Sequence, residues 1–195
     1  FRLVTHIGDV GHTLVAGPTG MGKSVLLAML ALQFRRYFGS RIFAFDMGRS
    51  MRATILGLGG EHYDLGADGG IAFQPLARID GEGYRTWAAE WVEGRLLQEG
   101  VTVGPDEKAA IWSALGSLAG APPEQRSMTG LSVLLQSNAL RQALSPYVLG
   151  GAHGKLLDAD HDRLGMADVQ GFEMEELMHS PAAVQAVLRY LFARF

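Results

Sequence analysis

The chain reads Gly17-Pro18-Thr19-Gly20-Met21-Gly22-Lys23-Ser24 near its start. This run matches the phosphate-binding pattern G-x-x-x-x-G-K-[ST] at all four fixed positions. The apolar residues before it, at 13–16, predict a strand, and the apolar run 25–32 after it predicts a helix. The order strand, glycine-rich loop and helix is the context that this pattern requires. The motif therefore predicts a P-loop.

The residue types of the motif fit nucleotide binding. We expect Gly17, Gly20 and Gly22 to adopt backbone conformations that a Cβ atom forbids, so that successive N–H groups and the following helix N-terminus bind phosphate. Lys23, the predicted catalytic residue, would reach the β- and γ-phosphates, and the Ser24 hydroxyl would coordinate Mg²⁺. The predicted nucleotide-binding residues are Gly17, Pro18, Thr19, Gly20, Met21, Gly22, Lys23, Ser24 and Val25. A dinucleotide fingerprint starting at Gly20 fails, because position 25 is valine and not glycine.

Composition limits the class of protein. The chain has 195 residues, 48% hydrophobic and 19% charged, enough apolar content for one domain with a real core. A net charge of −3 is unlike a dedicated nucleic-acid module, which is usually strongly basic. With no cysteine there is no disulfide framework and no thiolate zinc site. Neither a signal peptide nor a run of 18 apolar residues is present.

The first part of the chain has the pattern of an α/β fold. Short apolar runs predict strands at 12–16, 41–46, 61–65 and 71–73, and helices at 23–37 and about 50–58, with Ser50 as a cap. Asp46 ends the second strand in the manner of a metal-binding acid, but the strand directly after the first helix is not normally the one that carries the Mg²⁺ aspartate. We therefore expect only a supporting role for Asp46 near the nucleotide. Arg49 and Arg52 are either ordinary surface charges or contacts to phosphates of a neighbouring subunit.

The middle of the chain has the pattern of four helices without strands. They are predicted at 84–98, 105–118, from a Thr129 cap to 137, and in a short segment ending at Ser145-Pro146. Trp87 and Trp91 share one helix face, which favours a packed core stripe over stacking on nucleic-acid bases. The acidic run 156–162 lacks the glycine and glutamate of a calcium loop and is predicted to be a solvated loop. A strand at 169–173 and a helix from Ser180-Pro181 to Phe195 complete the pattern.

These assignments divide the chain into three parts. Residues 1–82 form the first part of a P-loop α/β core, 83–151 an all-α insertion, and 152–195 a return to the core. We expect a mostly parallel sheet flanked by helices. No acid in the sequence is a convincing metal ligand, so the strand carrying that aspartate and a catalytic glutamate is expected after Phe195 in a longer protein.

Several segments, most of them outside the P-loop, resemble one family. They are 11–20, 43–52 (Phe-Ala-Phe-Asp-Met-Gly-Arg-Ser-Met-Arg), 74–80 (Gln-Pro-Leu-Ala-Arg-Ile-Asp), 87–91, 131–136 and 172–175. Together they resemble the C-terminal motor domain of the conjugative-transfer and type IV secretion ATPases, TrbE type. The resemblance spans nearly the whole chain, in order. The family's Walker B residues and its large N-terminal domain have no counterpart in these 195 residues.

The resemblance implies a RecA-like P-loop fold with an all-α insertion, and ATP hydrolysis with Mg²⁺ that powers substrate transfer or pilus assembly. It also implies a homo-oligomer, a hexamer or smaller, that works with other secretion components at the cytoplasmic face of the bacterial inner membrane. Two alternatives stay open. One is a nucleotide-binding assembly module without hydrolysis. The other is a DNA translocase of the FtsK/HerA kind, which 17 basic against 20 acidic residues do little to favour.

Overall fold

The computed structural model describes Gly8 and residues 11–66 and 70–195. The sequence also predicts an extended lead-in at 1–10 and a turn at 66–70, and both lie at least partly outside the described residues. The helices are α1 (Lys23–Phe34), α2 (Arg52–Gly57), α3 (Glu82–Gln98), α4 (Pro105–Ala119), α5 (Met128–Leu134), α6 (Asn138–Leu144), α7 (Gly154–Leu157) and α8 (Pro181–Arg194). The strands are β1 (Ile42–Asp46), β2 (Glu61–Asp64) and β3 (Val169–Glu173), and short 3₁₀ turns occur at Pro123–Gln125, Ser145–Tyr147 and Leu177–His179.

The three strands form one parallel sheet in the order β1-β3-β2. Residue Ile42 pairs with Val169 and Asp46 with Glu173, while Asp64 of β2 also pairs with Glu173. The strand that comes last in the chain therefore lies in the middle, and every residue of it is buried. The fold is α/β, with a small parallel sheet flanked by helices, as predicted at this coarse level.

The larger hydrophobic core joins the helical middle of the chain to the sheet. Its fully buried side chains include Trp91 of α3, Phe172 of β3 and Tyr190 of α8. The indole Nε1–H of Trp91 donates to the Ala186 carbonyl at 3.0 Å, which ties α3 to α8. The prediction that Trp91 belongs to a core stripe is confirmed, and Trp87 packs partly buried against the same core.

A smaller core lies on the side of the sheet nearest α1. Met51, Ile55 and Val169 form it, and Ala28 and Ala31 of α1 pack against it. Helix α1 itself has no buried residue, and apolar side chains such as Met29 and Leu32 are 57% and 49% exposed. Strand β1 pairs only with β3 among the described residues. Within that part of the chain, β1 therefore has one edge without a partner strand, and it lies beside a helix with exposed apolar side chains.

Two predicted strands are wrong. Residues 12–16, which lead into the P-loop, form no strand, because none of the described strands lies beside them to share backbone hydrogen bonds. Residues 71–73 also form no strand. Their backbone instead exchanges hydrogen bonds with the irregular segment around α7, as in Phe73 N–H to the Leu156 carbonyl at 2.8 Å.

Two predicted helix caps are also wrong. Ser127, and not Thr129, caps α5, since its Oγ accepts from the Gly130 N–H at 3.1 Å. Ser50 does not cap α2, because its hydroxyl donates to Asp46 at 2.8 Å. The predicted helix starts are confirmed, since α4 begins at Pro105 and α8 begins at Pro181 with Ser180 as its cap.

The acidic run 156–162 is less solvated than predicted. Asp158 accepts from the Thr129 N–H at 2.9 Å and from the Thr129 hydroxyl. Asp162, whose side chain is only 16% exposed, accepts from the Tyr190 hydroxyl and lies 3.3 Å from Nε of Arg194. Burial, together with the neighbouring Asp162 carboxylate, raises the pKa of Tyr190 above its ordinary value, so this hydroxyl stays a donor. Two of these acids therefore stabilise the packing of α5 and α8.

Candidate nucleotide-binding site

The P-loop has the backbone that its glycines were expected to allow at two of three positions. Gly20 and Gly22 have φ of 82° and 78°, in the left-handed region that side chains with a Cβ rarely adopt. Gly17 has no positive φ, so the expectation is wrong for that residue. Gly22 is also the N-cap of α1, and the helix begins at Lys23. The left-handed turn thus aims the start of α1 at the loop's concave side.

Lys23 lies across the loop. Its Nζ donates to the carbonyls of Gly17 and Pro18, both at 2.7 Å. An ammonium group has three donors, so these two bonds fix its position and leave one N–H for a phosphate oxygen. The remaining positive potential comes from the N–H groups of the first turn of α1, which have no intrahelical acceptor, and no acidic residue lies in that turn.

A depression of about 320 Å³ lies over this loop. It is lined by Thr19, Gly20, Gly22, Lys23, Ser24 and Val25. Ser24 follows Lys23 in the first turn and is exposed, so its hydroxyl is open to a hydrated Mg²⁺ ion held by phosphate oxygens. Met21 is 73% exposed and lies outside the lining, while Gly17 and Pro18 contribute the carbonyls that hold Lys23. The structure thus brings most of the predicted residues together around one concave surface.

A larger depression, of about 720 Å³, lies elsewhere. It is bounded by residues on both sides of 67–69, together with His153, Arg163, Glu176 and Ser180. The N-terminus of α8 contributes Ser180 and Ala183 to its lining, but Pro181 has no N–H and the Ala183 N–H already donates to the Ser180 hydroxyl, so this helix start offers a phosphate less than the P-loop does. We therefore place the candidate site at the smaller depression.

The P-loop lies at the carboxyl edge of the sheet. Helix α1 packs against the core beside β1 and reaches it through the short connection 35–41, so the helix runs opposite to the strand. Its N-terminus and the carboxyl end of β1 therefore lie at the same edge. In open parallel sheets this is the edge where ligands bind.

Three carboxylates end the three strands at this edge. Asp46, Glu173 and Asp64 are in register with one another. Asp46 accepts from the Ser50 hydroxyl and from the Met51 N–H at 2.7 Å. Since both oxygens hold the loop after β1, Asp46 is not a free metal ligand, and its supporting role near the nucleotide stays a prediction. Among the described residues no group of three or more His, Asp or Glu could hold a metal ion.

Sequence reasoning missed Glu173. Only 3% exposed, it accepts from the N–H groups of Gly48, Arg49 and Glu175 at 3.1, 2.5 and 3.0 Å. The available signal was its place at the end of a predicted strand, directly after Phe172, the same pattern as Phe45-Asp46.

Two bacterial conjugation proteins are similar to the chain over its whole length. A probable conjugal transfer protein TrbE of Sinorhizobium fredii is 44% identical over 200 residues, which covers 100% of this chain and 30% of that protein. The conjugal transfer protein TrbE of Rhizobium radiobacter is 45% identical over 202 residues, covering 100% of this chain and 24% of that protein. The chain is homologous to a segment of the TrbE and VirB4 proteins. No protein-family model matches it.

More distant relatives carry the VirB4 name. The type IV secretion system protein VirB4 of Bartonella henselae is 28% identical over 196 residues, 97% of this chain and 25% of that protein. The solved structure of VirB4 from Thermoanaerobacter pseudethanolicus superposes with a TM-score of 0.63 at 18% identity, covering 90% of this chain and 54% of that one. This structure supports the fold. The chain spans only about a quarter to a third of its TrbE and VirB4 relatives.

No helix among the described residues is both long enough and apolar enough to cross a bilayer.

We expect Gly22→Ala to weaken nucleotide binding. A Cβ at φ 78° meets no atom within 4 Å, so the cost is backbone strain, about 1–2 kcal/mol, which would reshape the loop and the start of α1. The matched control is Gly57→Ala in α2, where the added Cβ also meets nothing within 4 Å and helix propensity favours alanine by about 1 kcal/mol. Thermal unfolding and the affinity for a fluorescent ATP analogue measure both variants. Equal behaviour of the two would contradict the assigned loop geometry.

Proposed function

We propose that this chain is the ATP-binding motor domain of a conjugative-transfer or type IV secretion ATPase, with a RecA-like P-loop fold. In the complete protein it hydrolyses ATP with Mg²⁺ to power substrate transfer or pilus assembly. The observation that carries the proposal is Lys23, the first residue of α1, whose ammonium group is held by the carbonyls of Gly17 and Pro18. Homology to proteins named for conjugal transfer and type IV secretion supports the process.

The proposed chemistry is charge neutralisation. Phosphoryl transfer needs positioning and electrostatic stabilisation more than covalent help from the protein. The loop amides and Lys23 would bind the β- and γ-phosphates, and Ser24 would hold Mg²⁺, which neutralises the charge that develops between them. Val25 contributes its N–H, as part of the first helical turn.

The edge of β1 with which no described strand pairs suggests where the rest of the site lies. We propose that a further strand of the complete protein pairs with β1 and covers α1, bringing the residues at 12–16 into the sheet. That strand would carry the Mg²⁺ aspartate and the glutamate that positions water. An apolar segment ending in Asp-Glu after Phe195 would support this arrangement. Its absence there would contradict it.

The assembly follows from the same proposal. We propose a homo-oligomer, a hexamer or smaller, that lies in the cytoplasm against the inner membrane and contacts other secretion components. The boundaries 1–82, 83–151 and 152–195 remain a prediction, although the larger core runs through all three parts.

A second candidate is an assembly module that binds nucleotide without cleaving it. It is favoured by the fact that Asp46 and Glu173 are both engaged by backbone N–H groups, so neither is free to act on water. The 17 basic and 20 acidic residues give no corresponding support to a DNA translocase of the FtsK/HerA kind.

Phosphate release by the complete protein separates the two candidates. We expect turnover of ATP that needs Mg²⁺ and stops when EDTA removes the ion, because the phosphates then lose their largest neutralising charge. Titration with a fluorescent ATP analogue is run on the same preparation. Binding without phosphate release would select the assembly module.

A further inference from the structure

Arg49 has a backbone conformation that is unusual for its residue type. Its φ is 58°, and the preceding Gly48 has φ 82°. Among the described residues Arg49 is the one non-glycine residue with a positive φ. Glycine would adopt this conformation without strain, so the turn itself gives no reason for an arginine.

A buried carboxylate maintains this conformation. The Oε1 and Oε2 atoms of Glu173 accept from the Gly48 and Arg49 N–H groups at 3.1 and 2.5 Å. Hydrogen bonds to an ionised carboxylate are stronger than neutral ones, and Glu173 is almost fully buried. The strained turn is thus fixed by the strand in the middle of the sheet.

The other end of the loop is held as firmly. Asp46 at the end of β1 accepts from Ser50 Oγ and Met51 N–H at 2.8 and 2.7 Å. Met51 and Ile55 then pack in the core that Ala28 and Ala31 of α1 contact. The loop therefore has a fixed position beside the helix that carries the P-loop lysine.

The guanidinium group of Arg49, by contrast, is exposed enough to bind a ligand. The side chain is 53% exposed, and its partner among the described residues is Asp64, with Nε and Oδ1 3.5 Å apart. An exposed ion pair of this kind contributes little and exchanges readily for a better anion. A fixed backbone with an available guanidinium is suited to binding a ligand.

We propose that Arg49 binds a phosphate group of ATP at the carboxyl edge of the sheet. A guanidinium group can donate two parallel N–H bonds to two oxygens of one phosphate, and it stays protonated at physiological pH. The nucleotide is bound either by the P-loop of the same chain or by that of a neighbouring copy. This inference rests on the proposed nucleotide binding and names a residue outside the P-loop for it.

Arg49→Gly in the complete protein is the decisive variant. Glycine relieves the backbone strain, so the thermal midpoint should stay or rise, and misfolding cannot explain a loss of function. We expect ATP turnover and the affinity for a fluorescent ATP analogue to fall about tenfold or more, because a charge-assisted phosphate contact is lost. The matched control, Arg141→Ala, removes an exposed arginine of α6 and should change neither.

The outcomes separate this inference from the proposed function. Unchanged turnover and affinity in Arg49→Gly would overturn the role of Arg49 alone. If the wild-type protein binds the analogue but releases no phosphate, the proposed hydrolysis is ruled out. The affinities of wild type and Arg49→Gly for the analogue still decide the role of Arg49 in that case. A wild-type protein that binds no analogue would overturn both.

Mixing experiments identify the source of the phosphate. A mixture of Arg49→Gly and Lys23→Ala should turn over more ATP than the average of the two variants measured separately if Arg49 acts on a neighbouring copy, since mixed interfaces then contain one intact P-loop facing one intact arginine. No recovery, together with lowered affinity in Arg49→Gly alone, assigns Arg49 to the nucleotide of its own chain.

Glu173 acts in this scheme as a positioning residue. Glu173→Gln should lower turnover in the wild-type background, since an amide cannot accept from all three N–H groups. In the Arg49→Gly background it should lower turnover little further, although the thermal midpoint drops equally in both. Equal fold-losses of turnover in both backgrounds would show that Glu173 does not act through Arg49.

Discussion

Lys23→Ala is expected to lower ATP turnover by the complete protein at least 100-fold. Nζ of Lys23 is held between the carbonyls of Gly17 and Pro18, with one donor left for the phosphates. Removal of one preorganised electrostatic contact to a transition state typically costs about 10²–10³ in rate. The variant also leaves the two loop carbonyls without their donor, so ATP binding should weaken as well.

The chain offers a matched control for this variant. Lys108 is one of its three lysines, and it pairs on the surface with Glu93 at 3.2 Å, on helices far in sequence from the P-loop. Lys108→Ala makes the same change of charge and size, and turnover should stay unchanged. Phosphate release measured at saturating ATP, with the KM for ATP, compares the two. If Lys23→Ala hydrolysed ATP at the wild-type rate, the P-loop would have no part in the reaction.

Trp91→Ala should destabilise the fold more than any surface substitution. The indole ring is fully buried, lies 5.5 Å below the guanidinium carbon of Arg95 and donates to the Ala186 carbonyl. The substitution leaves a large cavity between α3 and α8 and removes the indole hydrogen bond that joins them. Losses of about 3–5 kcal/mol are usual for such a change, a large share of the stability of an ordinary domain.

Trp112→Ala is the control for this prediction. Trp112 lies on α4, is 41% exposed, and contacts the Arg85 guanidinium at 5.5 Å. An exposed cation–π contact contributes about 0.5–1 kcal/mol, so this variant should unfold close to wild type. Urea unfolding of the 195-residue chain, followed by circular dichroism, measures both. Equal losses in the two variants would contradict the core position of Trp91.

Local sequence patterns predicted most helices and the paired strands. Pro105 and Ser180-Pro181 mark helix starts because their own backbone and side-chain chemistry determine the cap. The strand at 42–46 was evident from the apolar run Ile-Phe-Ala-Phe, which is typical of a strand between two packed faces. The strand at 169–173 has a weaker pattern, because it contains Gln170 and Gly171 although every residue of it is buried. The four fixed positions of the P-loop likewise determine its chemistry without reference to the rest of the chain.

The predictions that failed concern residues whose structural partners lie far away in sequence. Residues 12–16 have a strand pattern, but a strand needs a neighbour, and no described strand lies beside them. Thr129 is a good cap by type, yet Asp158 binds it while Ser127 takes the cap. The role of Glu173 depends on amides 125 positions earlier, which no local pattern predicts.

The order of the strands has a consequence for synthesis on the ribosome. Strands β1 and β2 do not pair with each other, and both wait for β3, whose Glu173 meets Gly48 across 125 positions. The nascent nucleotide-binding half therefore emerges long before the strand that completes its sheet. Pairings this distant close slowly and leave apolar strand edges uncovered meanwhile. The growing chain should accordingly depend on chaperones until β3 has been translated.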